Sequence, residues 1–284
     1  MPGNGIDMEA LSPRDANAQR SKPQELKKQV ANLKAAKGQK EAHPPPPPSY
    51  VTEPPCRDRR EGAVYEIRSC LGKGGFAICY EGKLNGTSKR YALKIVKSQM
   101  PAKMEQKVQP TLLQEPRSKF SRPNIRNEYS YKSKFQTELQ IHSKMRQQNI
   151  VQFYRAFAFE NSTYLVLELC PNGSLMDMVK RRKGLTEPEV RFYTVQITGA
   201  IKYMHSKGII HRDLKMGNIF LDRHMNAKIG DFGLAALLVT GKDMHTIRRT
   251  TLCGTPNYIA PEILEKGRKG HDHMVDIWSL GIIV

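Results

Sequence analysis

The stretch His211-Arg212-Asp213-Leu214-Lys215-Met216-Gly217-Asn218, followed by Asp231-Phe232-Gly233, decides how the rest of this chain is read. Asp213 is a carboxylate that can take a proton from a hydroxyl nucleophile. Asn218 and Asp231 offer oxygen ligands to Mg²⁺, a hard cation that selects oxygen donors. Lys215 can neutralise charge on a moving phosphoryl group. Downstream, Ala260-Pro261-Glu262 closes a segment of about thirty residues rich in Thr, Arg and Gly.

Upstream lie the features that such a group would need. Leu71-Gly72-Lys73-Gly74-Gly75-Phe76-Ala77 is a glycine-rich turn between two β-like runs, where backbone N–H groups can approach a phosphate with no side chain in the way. A dinucleotide-binding turn would require a third glycine where Ala77 stands and a helix after it, whereas Ile78–Leu84 reads as a strand. No Gly-Lys-Ser/Thr triplet follows, which excludes a Walker-type loop. Tyr91-Ala92-Leu93-Lys94-Ile95 then places a lysine inside an apolar strand. Desolvating that ammonium is costly without a carboxylate partner, and Glu138 on the following helix is the candidate.

The texture of the chain divides it. Residues 1–62 are rich in Pro, Gln, Lys, Gly and Asn and include the run Pro44 to Pro48, so they read as a disordered extension with too little apolar surface to offset ordering entropy. From there, β-like runs at 64–71, 78–84, 90–96, 150–157 and 163–169 are separated by turns such as Asn85-Gly86. The segment 134–145 carries Phe135, Leu139 and Ile141/His142 on one face of a helix. A second helix is announced by Thr186 and Glu189 as a capping box, Pro188 in its first turn and Gly208 after its end. Its apolar stripe runs Val190, Tyr193, Ile197, Ala200, Ile201, Met204. A β-rich half followed by a helix-rich half predicts an α+β protein of two lobes with a ligand cleft between them.

Composition narrows the alternatives. The 284 residues hold 46 Lys+Arg against 27 Asp+Glu, a formal charge of +19, which favours acidic partners and says nothing about fold. A nucleic-acid reading would rest on that charge alone, with no aromatic-basic platform behind it. No run approaches the ~18 apolar residues of a membrane span, and the N-terminus has no apolar signal core. Five scattered cysteines without a CxxC pair argue against a zinc site or a disulfide framework and fit a reducing, intracellular compartment.

The ordered series of glycine-rich turn, strand lysine, helix glutamate, HRDxxxxN, DFG and APE resembles the eukaryotic protein kinases, and the lysine of His-Arg-Asp-Leu-Lys resembles their serine/threonine branch. Ala77 and Cys79, with Gly-Asn-Ile-Phe (217–220) and Leu-Cys-Gly-Thr-Pro-Asn-Tyr-Ile-Ala-Pro-Glu (252–262), resemble the polo-like kinases in particular. The resemblance implies a bilobal kinase fold over 63–284, with ATP and Mg²⁺ as cofactors. It implies that the loop 71–77 covers the phosphates, with Lys94, paired to Glu138, holding them. It makes Leu167 the gatekeeper, Glu168 and Cys170 the hinge that bonds adenine through its backbone, and Phe220 the floor of the pocket, with Cys79 close by. Asp213 becomes the catalytic base, Asn218 and Asp231 the metal ligands, and Thr255 a bridge between Asp213 and Lys215. Asp276 anchors the catalytic loop. Thr251 becomes the activating phosphosite, with Thr250 as its rival, and its phosphate would pair with Arg212.

Two departures accompany the resemblance. Lys94 and Glu138 stand 44 positions apart, about twice the family's usual interval, and the excess at 108–131 reads as an insertion. The chain also ends inside the family's central large-lobe helix, around 273–284, which predicts an incomplete helical lobe with exposed apolar surface. The function expected is ATP-dependent phosphorylation of protein Ser/Thr hydroxyls preceded by acidic residues, in cell-cycle control, switched on by an upstream kinase. Its expected location is the nucleus and cytoplasm, with no nucleic-acid or membrane partner and without the polo-box partners. The alternative is a catalytically inactive fragment that only binds nucleotide or protein.

Overall fold

The computed structural model describes residues 46–56, 60–74, 77–96, 135–237, 253–264 and 270–284. The insertion expected at 108–131, the glycine-rich residues Gly75 and Phe76, and the phosphosite candidates Thr250 and Thr251 lie outside them.

Six strands build one antiparallel sheet: β1 (Tyr50–Glu53), β2 (Ala63–Lys73), β3 (Ala77–Leu84), β4 (Arg90–Val96), β5 (Phe153–Phe159) and β6 (Ser162–Leu167), in the order β1-β2-β3-β4-β6-β5. Period-2 alternation divides its side chains between two cores. Leu93, Ile95, Tyr164 and Val166 pack with Val51, Tyr65 and Phe157 on one face. Leu165 and Leu167 turn to the other, where Phe135, Val151 and Phe153 meet them. The helix over 135–142 (α1), shorter than the expected 134–145, buries Phe135, Ile141 and His142 of the predicted face with Leu139 half-buried, and adds the buried carboxylate of Glu138. Asn85-Gly86 makes the β3–β4 turn, with Gly86 at φ +71°, a conformation glycine adopts without steric cost.

The first strand corrects the sequence reading. Residues 50–53, assigned above to a disordered extension 1–62, pair with β2 from Tyr50↔Glu66 to Glu53↔Ala63. Val51 is fully buried and Glu53 nearly so. The reason is tertiary: Glu53 Oε1 lies 2.8 Å from Arg155 Nε on β5, and Tyr65 donates its hydroxyl to Glu53 Oε2 at 2.7 Å. The first and last strands in the sheet order are thereby joined, so the sheet curls until its edges meet. A second correction concerns 150–157. Ile150 forms a parallel bridge to Ile229 and Val151 donates to Ile229 O, so the strand itself starts only at Phe153.

The helical part contains α2 (Leu175–Arg182), α3 (Glu187–Ser206), α4 (Pro261–Leu264) and α5 (Met274–Ile283). Between α3 and α4 lie β7 (Ile209–Ile210), β8 (Ile219–Leu221), β9 (Ala227–Ile229) and β10 (Ala236–Leu237). The capping box of α3 is present, with Glu189 accepting the Thr186 N–H at 2.8 Å. The predicted stripe is buried from Tyr193 to Met204, with Val190 half-buried at its start. Ile197, Ile201 and Met204 close over Ile219, Leu221, Ile229 and Phe232 to form the second lobe's core. Lys180, Arg181 and Arg182 fill the last turn of α2 with Lys183 as its cap, where cations complement the helix dipole. Phe192 and Val195 on α3 and Ile277, Trp278 and Ile282 on α5 are exposed.

Candidate active site

Two networks meet in the cleft, and each begins from where a strand or turn puts a charge. β3 and β4 pair Cys79 with Lys94, and Lys94 points its ammonium at α1. There it forms an ion pair with Glu138, and it donates to Asp231 Oδ1 at 3.0 Å. Burial alone would lower the Lys94 pKa, but the Asp231 and Glu138 carboxylates outweigh it and hold the ammonium protonated. Lys94 in turn draws the Asp231 carboxyl down to about 2, against the opposing effect of burial. The Cys79 thiol is pushed up to about 11 by burial, so it stays neutral at physiological pH.

Asp213 organises the second network. Its Oδ2 accepts from Lys215 Nζ at 2.8 Å and its Oδ1 from the Thr255 hydroxyl at 2.7 Å, while Lys215 also reaches Thr255 Oγ1 at 2.9 Å. Asn218 Nδ2 donates to the Asp213 carbonyl at 2.9 Å and to its carboxylate at 3.2 Å. The loop is held from beneath by Asp276, fully buried on α5, whose oxygens accept the His211 and Arg212 N–H groups at 2.9 and 2.8 Å. His205 Nε2 lies 2.9 Å from the same carboxylate. Arg212 sits at φ +65° with its Nε donating to Leu234 O, so the loop is tied to the segment after Asp231-Phe232-Gly233 as well. Phe232 is fully buried between the rings of His142 and His211, at centroid distances of 4.6 and 5.2 Å.

The remaining candidates take these positions. Gly72 and Lys73 pair with Cys79 and Ile78 across the β2–β3 hairpin, and Gly74 N–H donates to Ala77 O, which closes the turn. Leu71 is exposed beside them. Leu167 is buried as the last residue of β6, and the chain then leaves the sheet through Glu168 and Cys170. The Cys170 thiol is pushed up to about 12, chiefly by burial. Phe220 packs against the cluster that contains Val151 and Leu167.

These residues fit a nucleotide and a hard cation. Asn218 commits its Nδ2 to Asp213, which leaves its amide oxygen for a cation, and Asp231 adds a carboxylate. Among the described residues no group of three or more His, Cys, Asp or Glu is placed to hold a metal alone. Two oxygen donors suit Mg²⁺, which keeps waters and shares phosphate ligands. Sequence reasoning missed the Glu53–Tyr65–Arg155 cluster, the His205 contact, and an ion pair from Lys228 Nζ to Glu168 Oε1 at 2.8 Å. A lysine three residues before Asp231 was the only available signal for the last.

The protein kinase domain family matches residues 65–284, and the chain belongs to that family. Its relatives are polo-like kinases. It is 46% identical over 231 residues to the cell cycle serine/threonine-protein kinase CDC5/MSD2 of Saccharomyces cerevisiae, covering 81% of this chain and 28% of the relative. It is 38% identical over 261 residues to the serine/threonine-protein kinase plk-2 of Caenorhabditis elegans, covering 92% and 35%. With the serine/threonine-protein kinase polo of Drosophila melanogaster it shares 41% over 227 residues, covering 80% and 34%. The chain thus spans about a third of the length of these relatives.

Proposed function

We propose that the chain transfers the γ-phosphoryl group of ATP to Ser and Thr hydroxyls of proteins, in the cell-cycle setting that its yeast relative's name carries. The observation that carries this reading is Lys94, a single ammonium held between Glu138 of the small lobe and Asp231 of the large one. Bound ATP would supply the phosphoryl group, with Mg²⁺ on Asn218 and Asp231 offsetting its charge. Lys94 binds phosphate oxygens, and Glu138 keeps its ammonium aimed. Asp213 orients the incoming hydroxyl and accepts its proton, while Lys215, bonded to both Asp213 and Thr255, places a positive charge beside the transfer path. The excess of Lys+Arg over Asp+Glu supports a preference for acidic residues beside the target hydroxyl. Activation by phosphorylation of Thr251 through an upstream kinase completes the proposal.

The test is radiolabelled γ-phosphoryl transfer to casein by the wild-type chain and by Asp213→Asn. Loss of a general base predicts a fall of about a hundredfold or more with nucleotide binding retained. Equal transfer by both proteins would overturn the assignment. Wild-type chain that binds nucleotide but transfers nothing would favour the binding-module reading.

A further inference from the structure

Glu168 enters the kinase reading only through its backbone, yet its carboxylate is the most heavily engaged group in the hinge. Lys228 Nζ lies 2.8 Å from Oε1 and 3.0 Å from Oε2, so one ammonium grips both oxygens. Gln152 N–H donates to Oε2 at 3.0 Å, and Glu168 N–H returns a bond to Gln152 O at 2.9 Å. The Gln152 side chain is itself fixed, donating to Phe153 O at 2.7 Å. The two charged side chains are only 13% and 20% exposed, which separates this pair from ordinary surface ion pairs that contribute little.

The location of Lys228 gives the pair its meaning. In β9, Ala227 and Ile229 are buried in the large-lobe core, and period-2 alternation turns Lys228 the other way. Across the hairpin its register partner is Phe220, which packs beside Leu167 and Cys170. Gly230 and Asp231 follow immediately. The sheet ladder ends at Leu167, and past it the Glu168 backbone keeps one bond, from its N–H to Gln152 O, so the side-chain ion pair is the second tie on this residue. One ion pair therefore ties the hinge to the strand that carries the pocket floor's partner and runs on to the metal-ligand candidate.

We infer that Lys228 is a positioning residue for nucleotide binding: through Glu168 it holds the hinge backbone in register with Phe220. The inference rests on the kinase reading above. The pair acts on the alignment of binding groups, leaving Asp213 untouched, so its loss raises the ATP requirement without slowing turnover. Breaking it also leaves one half-buried charge without its partner. Arginine retains the charge and reaches both oxygens.

The experiment measures affinity for a fluorescent N-methylanthraniloyl ATP analogue by titration, together with kcat and KM for ATP. The proteins are wild type, Lys228→Met, Glu168→Gln, the double variant and Lys228→Arg. Each single variant should bind the analogue about tenfold more weakly, and the double no more weakly than either single, because both remove one shared interaction. KM for ATP should rise in step while kcat stays within about twofold, and Lys228→Arg should stay near wild type. Unchanged affinity in the single variants, multiplied losses in the double, or a fallen kcat at constant KM would each overturn the inference. So would a lowered melting temperature with affinity unchanged, which would mark the pair as structural. Wild-type chain that binds no analogue would overturn the kinase reading and this inference with it.

Discussion

Gly230 stands between the hairpin that carries Phe220 and the carboxylate of Asp231, and no larger residue fits there. A Cβ built on it would lie 2.9 Å from Phe220 Cε2 and 3.0 Å from a Val151 methyl. Gly230→Ala must therefore displace the Phe220 ring, the proposed floor of the nucleotide pocket. Overpacking of this kind costs about 1–3 kcal/mol. The expected outcome is a lower melting temperature together with weaker nucleotide binding, read by thermal unfolding and ligand titration; unchanged affinity would show that Phe220 does not form the floor. At this scale the sequence named Lys94, Glu138, Asp213, Lys215, Asn218 and Asp231 as candidates from their contexts and Thr255 through the family resemblance, and the structure joins them in two bonded networks. The sequence could not show that Asp231 also holds Lys94, or that Glu168 has a partner in Lys228.

Among the elements, α3 and β1 mark the two extremes of legibility. α3 is written locally: its cap, its first-turn proline and its apolar stripe all lie within about twenty residues, and each constrains the same helix. β1 is four residues long, follows a proline run and carries a glutamate toward the core, so the strand-favouring Tyr50, Val51 and Thr52 are its one local signal and the rest argue against it. It exists because Arg155 and Tyr65 neutralise and bond that glutamate from other strands. Burial and the Glu53 hydrogen bond push the Tyr65 hydroxyl pKa up to about 12, so it remains a donor at any physiological pH. Glu53→Gln removes the charge opposite a half-buried guanidinium and should cost about 2 kcal/mol, measured as a lower urea midpoint at unchanged slope. No shift in midpoint would mean that β1 pairs with β2 through its backbone alone.

Across the whole molecule, pH acts on groups that both lobes help to bury. His142 sits on α1 with its Nε2 2.7 Å from Val151 O, between Phe153 and Phe232, with Lys94, Asp231 and His211 as its charged or titratable neighbours. Burial lowers its pKa to about 4, with the bond to Val151 opposing the shift. An unfolded chain binds this proton near the ordinary histidine value of about 6.5. Between the two values the unfolded state holds the extra proton, so stability is complete above about pH 6.5 and falls as pH drops toward 4, by up to a few kcal/mol. Asp231, held down to about 2 by Lys94, adds a further loss between about pH 4 and 2. Melting temperature should fall by several degrees from pH 7.5 to 5, and His142→Gln should flatten that slope while lowering the plateau. A wild-type profile flat over this range would contradict the burial of a neutral histidine.

The amino-acid order by itself determined the α+β class, strands β2 to β6, the helices at 135–142 and 187–206, and the candidates for the phosphate, metal and proton-accepting roles, because period, caps and motif spacing are properties of neighbours along the chain. Only the tertiary structure decided that residues 50–53 join the sheet, that the sheet closes through Glu53 and Arg155, and that Lys228 grips Glu168. Those depend on charges far apart in sequence meeting in a partly dehydrated setting, where each is stable only in the presence of the other.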